Sequence, residues 1–306
     1  MLTGSFSRTR LLRPTSSYLG RRLSCSRFSV SAVTYKDTDT LAGTVAFHNI
    51  YVLLHSRKPP SEHPSKVPSK LQRALQLQAI QWRGLVNFSY LPERAVHPAQ
   101  SAADGPEWED EHGEAYGVTA FSRYRGRLDL PMRVSTENLD EVAAALQAHA
   151  SQTGPNGLSS HLTGAEREVH LYVCTHGQRD CRCGETGGAV YEALRKEVAK
   201  RNLSETVKVG SVGHVGGHKY AANILVFPHG EWLGNIKEDN VPEVLDAILS
   251  GQGERFSPEF SLPLLPHLWR GRMGLDKEEQ ITLRSRDTAP ISDIEPHPSR
   301  SSISLD

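Results

Sequence analysis

The sequence of 306 residues predicts an α/β protein with two similar halves. In each half, short apolar runs typical of strands and segments with helical periodicity follow one another in the order β-α-β-β-β-α. That order is typical of an α/β layer fold of the thioredoxin-like type. The sequence therefore predicts two tandem thioredoxin-like domains, at residues 44–150 and 166–268, joined by a linker at residues 151–165.

The first half begins with a short apolar run at residues 50–54, which is typical of a buried strand. The proline-rich residues 58–68 end this strand, and Leu71 and Leu75 then recur at helical spacing. The rest of this half comprises, in order, a strand at residues 85–90, an acidic loop with Trp108 at residues 94–114, a strand at residues 116–124 and a helix at residues 139–150.

The second half repeats this order. Its predicted elements are a strand at residues 171–174, a helix at residues 188–201, a strand at residues 207–209, a hairpin of residues 223–227 and 232–236, and a helix at residues 241–249. The periodic pattern ends after this helix. Residues 269–306 are rich in Ser, Pro and charged residues, so a mostly disordered tail is predicted there.

The two halves also match in sequence near both of their ends. Residues 50–56 resemble residues 171–177, and residues 137–142 resemble residues 239–244. Two matches in the same element order favour an internal duplication. In this alignment Leu53 stands where the second half has Cys174, so only the second half can carry thiolate chemistry.

A basic leader precedes the first half. Residues 1–36 contain seven basic residues, many serines and no acidic residue, a composition typical of a mitochondrial transit peptide. We therefore predict a mitochondrial protein, with the matrix favoured over the intermembrane space. Cleavage after Phe28 would remove six arginines and leave 29 basic against 35 acidic residues, so the remaining chain would be acidic.

The composition argues against several classes of protein. The whole chain has 35 basic and 35 acidic residues, whereas nucleic-acid-binding chains usually have a basic excess. No apolar run approaches the roughly 18 residues that span a bilayer. Four cysteines are too few for a disulfide scaffold. We expect neither a nucleic-acid partner nor a transmembrane segment.

Three of the four cysteines lie together, directly after a predicted strand and before a predicted helix. They are Cys174, Cys181 and Cys183, and the N-terminus of the following helix favours a thiolate at this position. Further along the chain, His214 and His218 stand four residues apart in a glycine-rich stretch that lets both rings approach one centre. The combination predicts a metal or redox centre.

The residue types alone leave the nature of this centre open. Two cysteines and two histidines also form a structural zinc set. A metal-free thiol oxidoreductase would use Cys174, Cys181 or Cys183 and would make both histidines dispensable. A third reading is an interaction platform, with the loop around Trp108 and residues 269–271 as its contacts.

The sequence resembles the sucrase/ferredoxin-like family over about residues 44–275, and most closely its fungal mitochondrial branch. Residues 174–188 (CTHGQRDCRCGETGG) and residues 214–223 (HVGGHKYAAN) resemble the two signature blocks of that family. The resemblance implies a thioredoxin-like ferredoxin that binds a [2Fe-2S] cluster. It also implies the four ligands, which are Cys174, Cys183, His214 and His218.

The resemblance further implies a redox or electron-transfer role, with unidentified donor and acceptor proteins and thiol-bearing mitochondrial proteins as candidate partners. Whether such a protein is an enzyme stays open, and nothing in the chain supports sucrose hydrolysis. Cys181 is a candidate alternative ligand, and His176 a candidate neighbour of the cluster. Arg179 and Lys219 either compensate the charge of the cluster or are solvated loop cations.

Overall fold

The computed structural model describes residues 41–92, 114–151, 168–251 and 261–286. The predicted leader, all but the last residue of the acidic loop around Trp108 and all but the first residue of the predicted linker lie outside these ranges. Within the described part of the chain, no helix is both long and apolar enough to span a membrane.

The described elements comprise nine strands and five helices. The strands are β1 (Ile50–His55), β2 (Gly84–Tyr90), β3 (Gly117–Ser122), β4 (Gly126–Asp129), β5 (Val169–Cys174), β6 (Val207–Val212), β7 (Ile224–Phe227), β8 (Glu231–Leu233) and β9 (Trp269–Arg272). The helices are α1 (Lys70–Ala79), α2 (Leu139–Ala150), α3 (Cys181–Lys200), α4 (Val241–Ser250) and α5 (Lys277–Arg286). The order β-α-β-β-β-α predicted for each half is confirmed by β1 to α2 and by β5 to α4.

The two halves form their strands in the same way. In the first half β1 pairs in parallel with β2 across the helix α1, and it pairs antiparallel with β3, which pairs with β4. In the second half β5 pairs in parallel with β6 across α3, and it pairs antiparallel with β7, which pairs with β8. Both halves therefore have the strand arrangement expected of a thioredoxin-like layer.

The two halves are nevertheless not separate domains with separate sheets. All nine strands belong to one sheet with the order β4-β3-β1-β2-β6-β5-β7-β8-β9. The junction is an antiparallel contact between β2 and β6, in which Ser89 pairs with Val212 and Tyr90 with Ser211. The prediction of two tandem domains is corrected to one continuous sheet, because edge strands with unpaired backbone groups join where two such layers meet.

The sheet folds back on itself at this junction. The rings of Phe121 in β3 and Phe227 in β7 are stacked with centroids 4.1 Å apart. These strands are five positions apart in the sheet order, so a flat sheet would hold them about 24 Å apart. The two half-sheets therefore pack face to face, with helices on the outer faces.

Alternation along the strands decides which side chains lie between the half-sheets. In β1, Ile50 and Val52 pack in the outer core against the helices, whereas Tyr51 and Leu53 belong to the inner core. In β5, Tyr172 and Cys174 belong to that same inner core. Leu53 and Cys174 thus occupy matching positions on the inner faces, as their alignment in the sequence implied.

The start of the predicted tail is part of the fold, which corrects that prediction for residues 269–286. β9 pairs with β8, and Trp269 and Arg272 are fully buried. Arg272 forms a buried ion pair with Glu231 of β8, and that carboxylate also accepts a hydrogen bond from the Trp269 indole. The two arginines of β9 conceal the strand in the sequence, because their burial depends on distant partners: Glu231 lies 41 residues from Arg272, and Asn223 lies 47 residues from Arg270.

Candidate metal centre

Cys174 is the last residue of β5 and lies in the inner core with 1% of its surface exposed. The strand and the following helix α3 approach each other closely at this point. A Cβ atom on Gly187 of α3 would stand 2.1 Å from the Cys174 carbonyl oxygen. Glycine at position 187 therefore allows α3 to pack directly behind the cysteine.

Helix α3 begins at Cys181, seven residues before its predicted start. Asp180 is the N-cap, and its carboxylate accepts a hydrogen bond from the backbone N–H of Arg182 at 3.0 Å. Cys181 and Cys183 therefore lie in the first helical turn, not before the helix. The early start was missed because the glycines at positions 184, 187 and 188 weaken the helical pattern.

The first turn of α3 points its two cysteines in different directions. Cys183 is buried with 1% of its surface exposed, whereas Cys181 is exposed. Both thiols lie near the positive end of the helix dipole, which stabilises a thiolate. Cys183 is thus directed into the inner core beside Cys174, while Cys181 faces solvent.

The two histidines lie on the loop after β6. Gly216 and Gly217 adopt left-handed backbone conformations, with φ angles of 78° and 65°. These angles strongly favour glycine and reverse the chain before a short helical turn at His218–Tyr220. His214 is half-buried and His218 is exposed.

Three potential ligand atoms converge at this loop. The sulfur atoms of Cys174 and Cys183 and a ring nitrogen of His214 all lie within 4.8 Å of one another. Cys183 Sγ is 3.6 Å from His214 Nδ1. His218 stands next to this group, with its ring centroid 5.7 Å from that of His214. All four predicted ligands are therefore neighbours, and three of them form the compact group.

The pKa values of the two buried thiols are shifted in opposite directions. A hydrogen bond from the Cys183 thiol lowers the pKa of Cys174, against the effect of burial. Backbone N–H groups of Val215 and His176 also lower the pKa of Cys174. The Cys174 thiolate and burial in turn raise the pKa of Cys183. Cys174 is therefore the preferred site of negative charge when no metal is bound, and a bound cation would favour deprotonation of both thiols.

Of the predicted neighbours of the centre, His176 is buried, whereas Arg179 and Lys219 are exposed, and the unpredicted Asp180 lies beside His218. Asp180 Oδ2 is 3.6 Å from His218 Nδ1, and Asp180 also pairs with Arg182 at 2.9 Å. Hydrogen bonding to Arg182 lowers the pKa of Asp180. The His176 ring contacts the carbonyl oxygen of Pro64 in the first half at 2.9 Å through Nε2. Burial lowers the pKa of His176.

Two further residues hold the histidine loop, and the sequence did not predict this role for either of them. Asn87 of β2 donates to the carbonyl oxygen of Gly213 at 3.3 Å. Arg270 of β9 donates to the Asn223 side chain at 2.8 Å and to the Gly216 carbonyl oxygen at 3.3 Å. Both contacts cross between distant parts of the chain, so no local pattern reveals them.

The donor set fits a cluster or a thiophilic metal ion. Thiolates and imidazoles suit iron–sulfur clusters and zinc, whereas magnesium and calcium prefer oxygen ligands. Cys174 and Cys183 are buried, and the two imidazoles lie between them and solvent. A group bound here would have a thiolate side in the protein interior and an imidazole side near the surface.

Comparison with known proteins places these residues in a family. The model of the sucrase/ferredoxin-like family matches residues 41–271 of this chain. A 2Fe-2S ferredoxin of Clostridium pasteurianum is 29% identical over 83 residues, which make up 26% of this chain and 81% of that protein. A solved thioredoxin-like [2Fe-2S] ferredoxin from Aquifex aeolicus is 24% identical, with a TM-score of 0.25 over 29% of this chain and 86% of that chain.

Longer relatives come from yeasts. Altered inheritance of mitochondria protein 32 of Meyerozyma guilliermondii is 38% identical over 82 residues, which are 26% of this chain and 29% of that protein. The protein of the same name from Candida glabrata is 30% identical over 149 residues, which are 44% of this chain and 47% of that protein. The chain thus spans less than half the length of these two relatives.

Proposed function

This chain belongs to the sucrase/ferredoxin-like family, and from this membership we propose that it is a redox protein with a [2Fe-2S] cluster. Its ligands are Cys174, Cys183, His214 and His218. The observation that carries the proposal is the compact group of two buried thiols and the His214 ring within 4.8 Å, with the His218 ring alongside. The C. pasteurianum relative, named a 2Fe-2S ferredoxin, supports the choice of cluster.

The ligand types determine the redox chemistry of such a site. Two neutral imidazoles in place of two thiolates raise the potential of a [2Fe-2S] cluster, from about −400 mV in plant-type ferredoxins to about −150 to +300 mV in Rieske centres. The protein accepts and passes on single electrons in this range. His218 is the most exposed of the proposed ligands, with 48% of its side chain accessible, so electrons enter and leave on its side.

The exposed imidazole also links the electron to a proton. A ring nitrogen that is accessible to water gains or loses a proton as the charge of the site changes. The midpoint potential is therefore expected to fall as the pH rises. A voltammetric potential that stays constant from about pH 6 to 10 would contradict this link.

Structural zinc is the second candidate, because the same four side chains form a complete zinc set. Cys174 and Cys183 are both 1% exposed, and this burial suits a closed structural site as well as a cluster. The same burial disfavours the metal-free thiol oxidoreductase, because a protein substrate cannot reach either sulfur without opening of the fold. Cys181 is exposed, but its partners in such a reaction are buried.

We further propose that the two halves arose by duplication and that only the second half kept a ligand set. Their shared strand arrangement supports this, as does the matching inner-face position of Leu53 and Cys174. The first half then serves to cover and hold the cluster site. The protein is mitochondrial in this proposal, which rests on the leader of residues 1–36 and on the names of the yeast relatives.

Purification without oxygen, followed by iron, sulfide and zinc analysis and a visible spectrum, tests the cofactor. We expect two iron and two sulfide per chain, consistent with a [2Fe-2S] cluster, and His218→Ala or His214→Ala to change or abolish the spectrum. Cys181→Ser should leave the spectrum unchanged. Colourless protein with stoichiometric zinc would establish the structural site instead. A fluorescent fusion of the full chain, compared with one that lacks residues 1–36, tests the mitochondrial location.

A further inference from the structure

Basic residues are concentrated in segments that form or contact the proposed cluster site. Residues 176–183 and 214–219 contain three of the proposed ligands, and residues 57–66 of the first half contact His176 through Pro64. These segments contain six basic and two acidic residues, an excess of four, although the whole chain has equal numbers. We name this set the basic rim, and its basic members are Arg57, Lys58, Lys66, Arg179, Arg182 and Lys219.

Two members of the basic rim, Arg182 and Lys219, lie next to the proposed ligand His218, because Asp180, the ion-pair partner of Arg182, is 3.6 Å from the His218 ring. Arg179 and Lys219 are exposed, and Lys219 directly follows the exposed His218. Arg182 is half exposed and is partly neutralised by Asp180 at 2.9 Å. An electron-transfer partner must bring its own redox centre close to His218, so that its surface meets these cations.

We propose that the basic rim is the docking surface for an acidic face of the electron donor or acceptor protein. This inference rests on the proposed redox function. Positive charge around a site steers an acidic partner and raises the rate of encounter without a large buried interface. A small, charge-matched contact suits an electron-transfer complex, which must dissociate after each transfer.

Nucleic acid is a less suitable occupant of this surface. A nucleic-acid footprint is a patch or stripe of clustered Lys and Arg, usually on a domain with a high isoelectric point. In this chain the acidic residues Glu62 and Asp180 lie within the segments that carry the basic rim. The isoelectric point of the whole sequence is about 7.3. The experiment below therefore includes a single-stranded oligonucleotide as a competing probe.

The first measurement is the binding of a fluorescent polyglutamate peptide to the full chain at low ionic strength. The double variant Arg179→Glu/Lys219→Glu should weaken binding by about tenfold or more. The matched control Lys196→Glu/Lys200→Glu makes the same change in net charge at the far end of α3, more than about 20 Å from Cys181 along the helix. The control should change binding by no more than about twofold.

Equal losses in the two double variants would overturn the proposal, because net charge alone would then explain the binding. Tighter binding of the oligonucleotide than of the peptide, lost in the rim variant, would also overturn it in favour of a nucleic-acid surface. This measurement needs no cofactor, so it decides the docking surface even if the wild-type protein is colourless. A colourless wild type would overturn the proposed function instead.

The second measurement uses electron transfer itself. The reduced protein is mixed with hexacyanoferrate(III), an anion, or hexaamminecobalt(III), a cation, each of which takes up one electron and oxidises the protein. If the rim is positive, added salt should slow the oxidation of the protein by the anion and accelerate its oxidation by the cation. Arg179→Glu/Lys219→Glu should reverse both trends, and Lys196→Glu/Lys200→Glu should not. Should the rim variant lose its colour, Arg179→Gln/Lys219→Gln should weaken both trends. If added salt accelerated the oxidation of the wild-type protein by hexacyanoferrate(III), the proposed positive charge of the rim would be contradicted.

Discussion

Asn87 in the first half donates a hydrogen bond from its side-chain amide to the carbonyl oxygen of Gly213 in the second half, at 3.3 Å. The same amide lies 3.5 Å from the His214 carbonyl oxygen and 3.0 Å from the Tyr51 hydroxyl. A Cβ atom on Gly213 would stand 2.3 Å from Asn87 Oδ1, so glycine is needed for this approach. The first half, which contains none of the proposed ligands, therefore holds the backbone at the proposed ligand His214.

Replacement of Asn87 by leucine is expected to release the histidine loop. The substitution leaves carbonyl groups of the loop without their donor, at a cost of about 1–3 kcal/mol for a buried unsatisfied group. The bound metal or cluster should therefore be lost faster to a chelator, as followed by visible absorption or metal analysis.

Gln76→Leu is the matched control for this experiment. Gln76 also hydrogen-bonds the backbone of β2, at Val86 and Gly84, but it does so from α1 on the outer face. The control should lower the melting temperature to a similar degree while leaving the rate of chelation unchanged. Equal chelation rates in Asn87→Leu and Gln76→Leu would show that Asn87 has no special part in holding the loop.

Arg270 is expected to contribute both position and charge to the site. Arg270 is 2% exposed, and its guanidinium donates hydrogen bonds to the Gly216 carbonyl oxygen and the Asn223 side chain. Burial lowers the pKa of Arg270 to about 10. The negative charge of Cys174 acts in the opposite direction on this pKa, so the two groups interact electrostatically. Arg270→Gln should therefore lower the midpoint potential, by about 59 mV for each 1.4 kcal/mol of lost stabilisation.

Arg270→Lys separates the two contributions. Lysine keeps the positive charge but lacks the planar fork that contacts several oxygens at once. The potential of this variant should stay near that of the wild type, while chelation becomes faster. A potential in Arg270→Gln that equals the wild-type value would remove the electrostatic part of the argument.

Elements with strong local patterns were predictable from the sequence, and the contacts that shape the site were not. The helix at residues 139–150 was predicted with its exact bounds, because Asn138 and an apolar face mark it. The predicted order of elements included the short strand β4, but its position was not predicted, because it has no buried residue and therefore no apolar pattern. The fold-back of the sheet and the Asn87 and Arg270 contacts depend on segments far apart in sequence, which no local pattern encodes.

The buried ion pair of Glu231 and Arg272 is expected to matter for stability and not for the cofactor. Both side chains are fully buried, and burial raises the pKa of Glu231. Arg272→Leu should lower the free energy of unfolding by about 3–5 kcal/mol, because an uncompensated carboxylate remains in the core. Chemical denaturation measures the loss.

The double variant Glu231→Leu/Arg272→Leu tests the reason for that loss. With both charges removed, much of the stability should return, since well-packed apolar residues often replace a buried pair without cost. A double variant no more stable than Arg272→Leu would indicate that packing, and not the unpaired charge, causes the defect.

Mild acid is expected to destabilise the fold through histidines that are buried in neutral form. Burial lowers the pKa of His48 to about 4, and it lowers the pKa of His63 and that of His229 to about 4 as well. The unfolded chain takes up these protons near pH 6.5, whereas the folded protein does so only near pH 4. Their contribution to stability is therefore complete above about pH 6.5 and is lost progressively as the pH falls toward 4, by about 1.4 kcal/mol per pH unit for each proton.

His48→Phe tests this dependence at a residue that is not itself a proposed ligand. The His48 ring packs edge-on against Tyr51 and Trp232, so phenylalanine suits its surroundings and cannot take up a proton. Denaturation midpoints measured between about pH 4 and 7.5 should fall less steeply in the variant than in the wild type. Because metal release in acid affects both proteins equally, the difference between their slopes isolates the histidine. Identical slopes would mean that His48 takes up its proton equally in the folded and unfolded states.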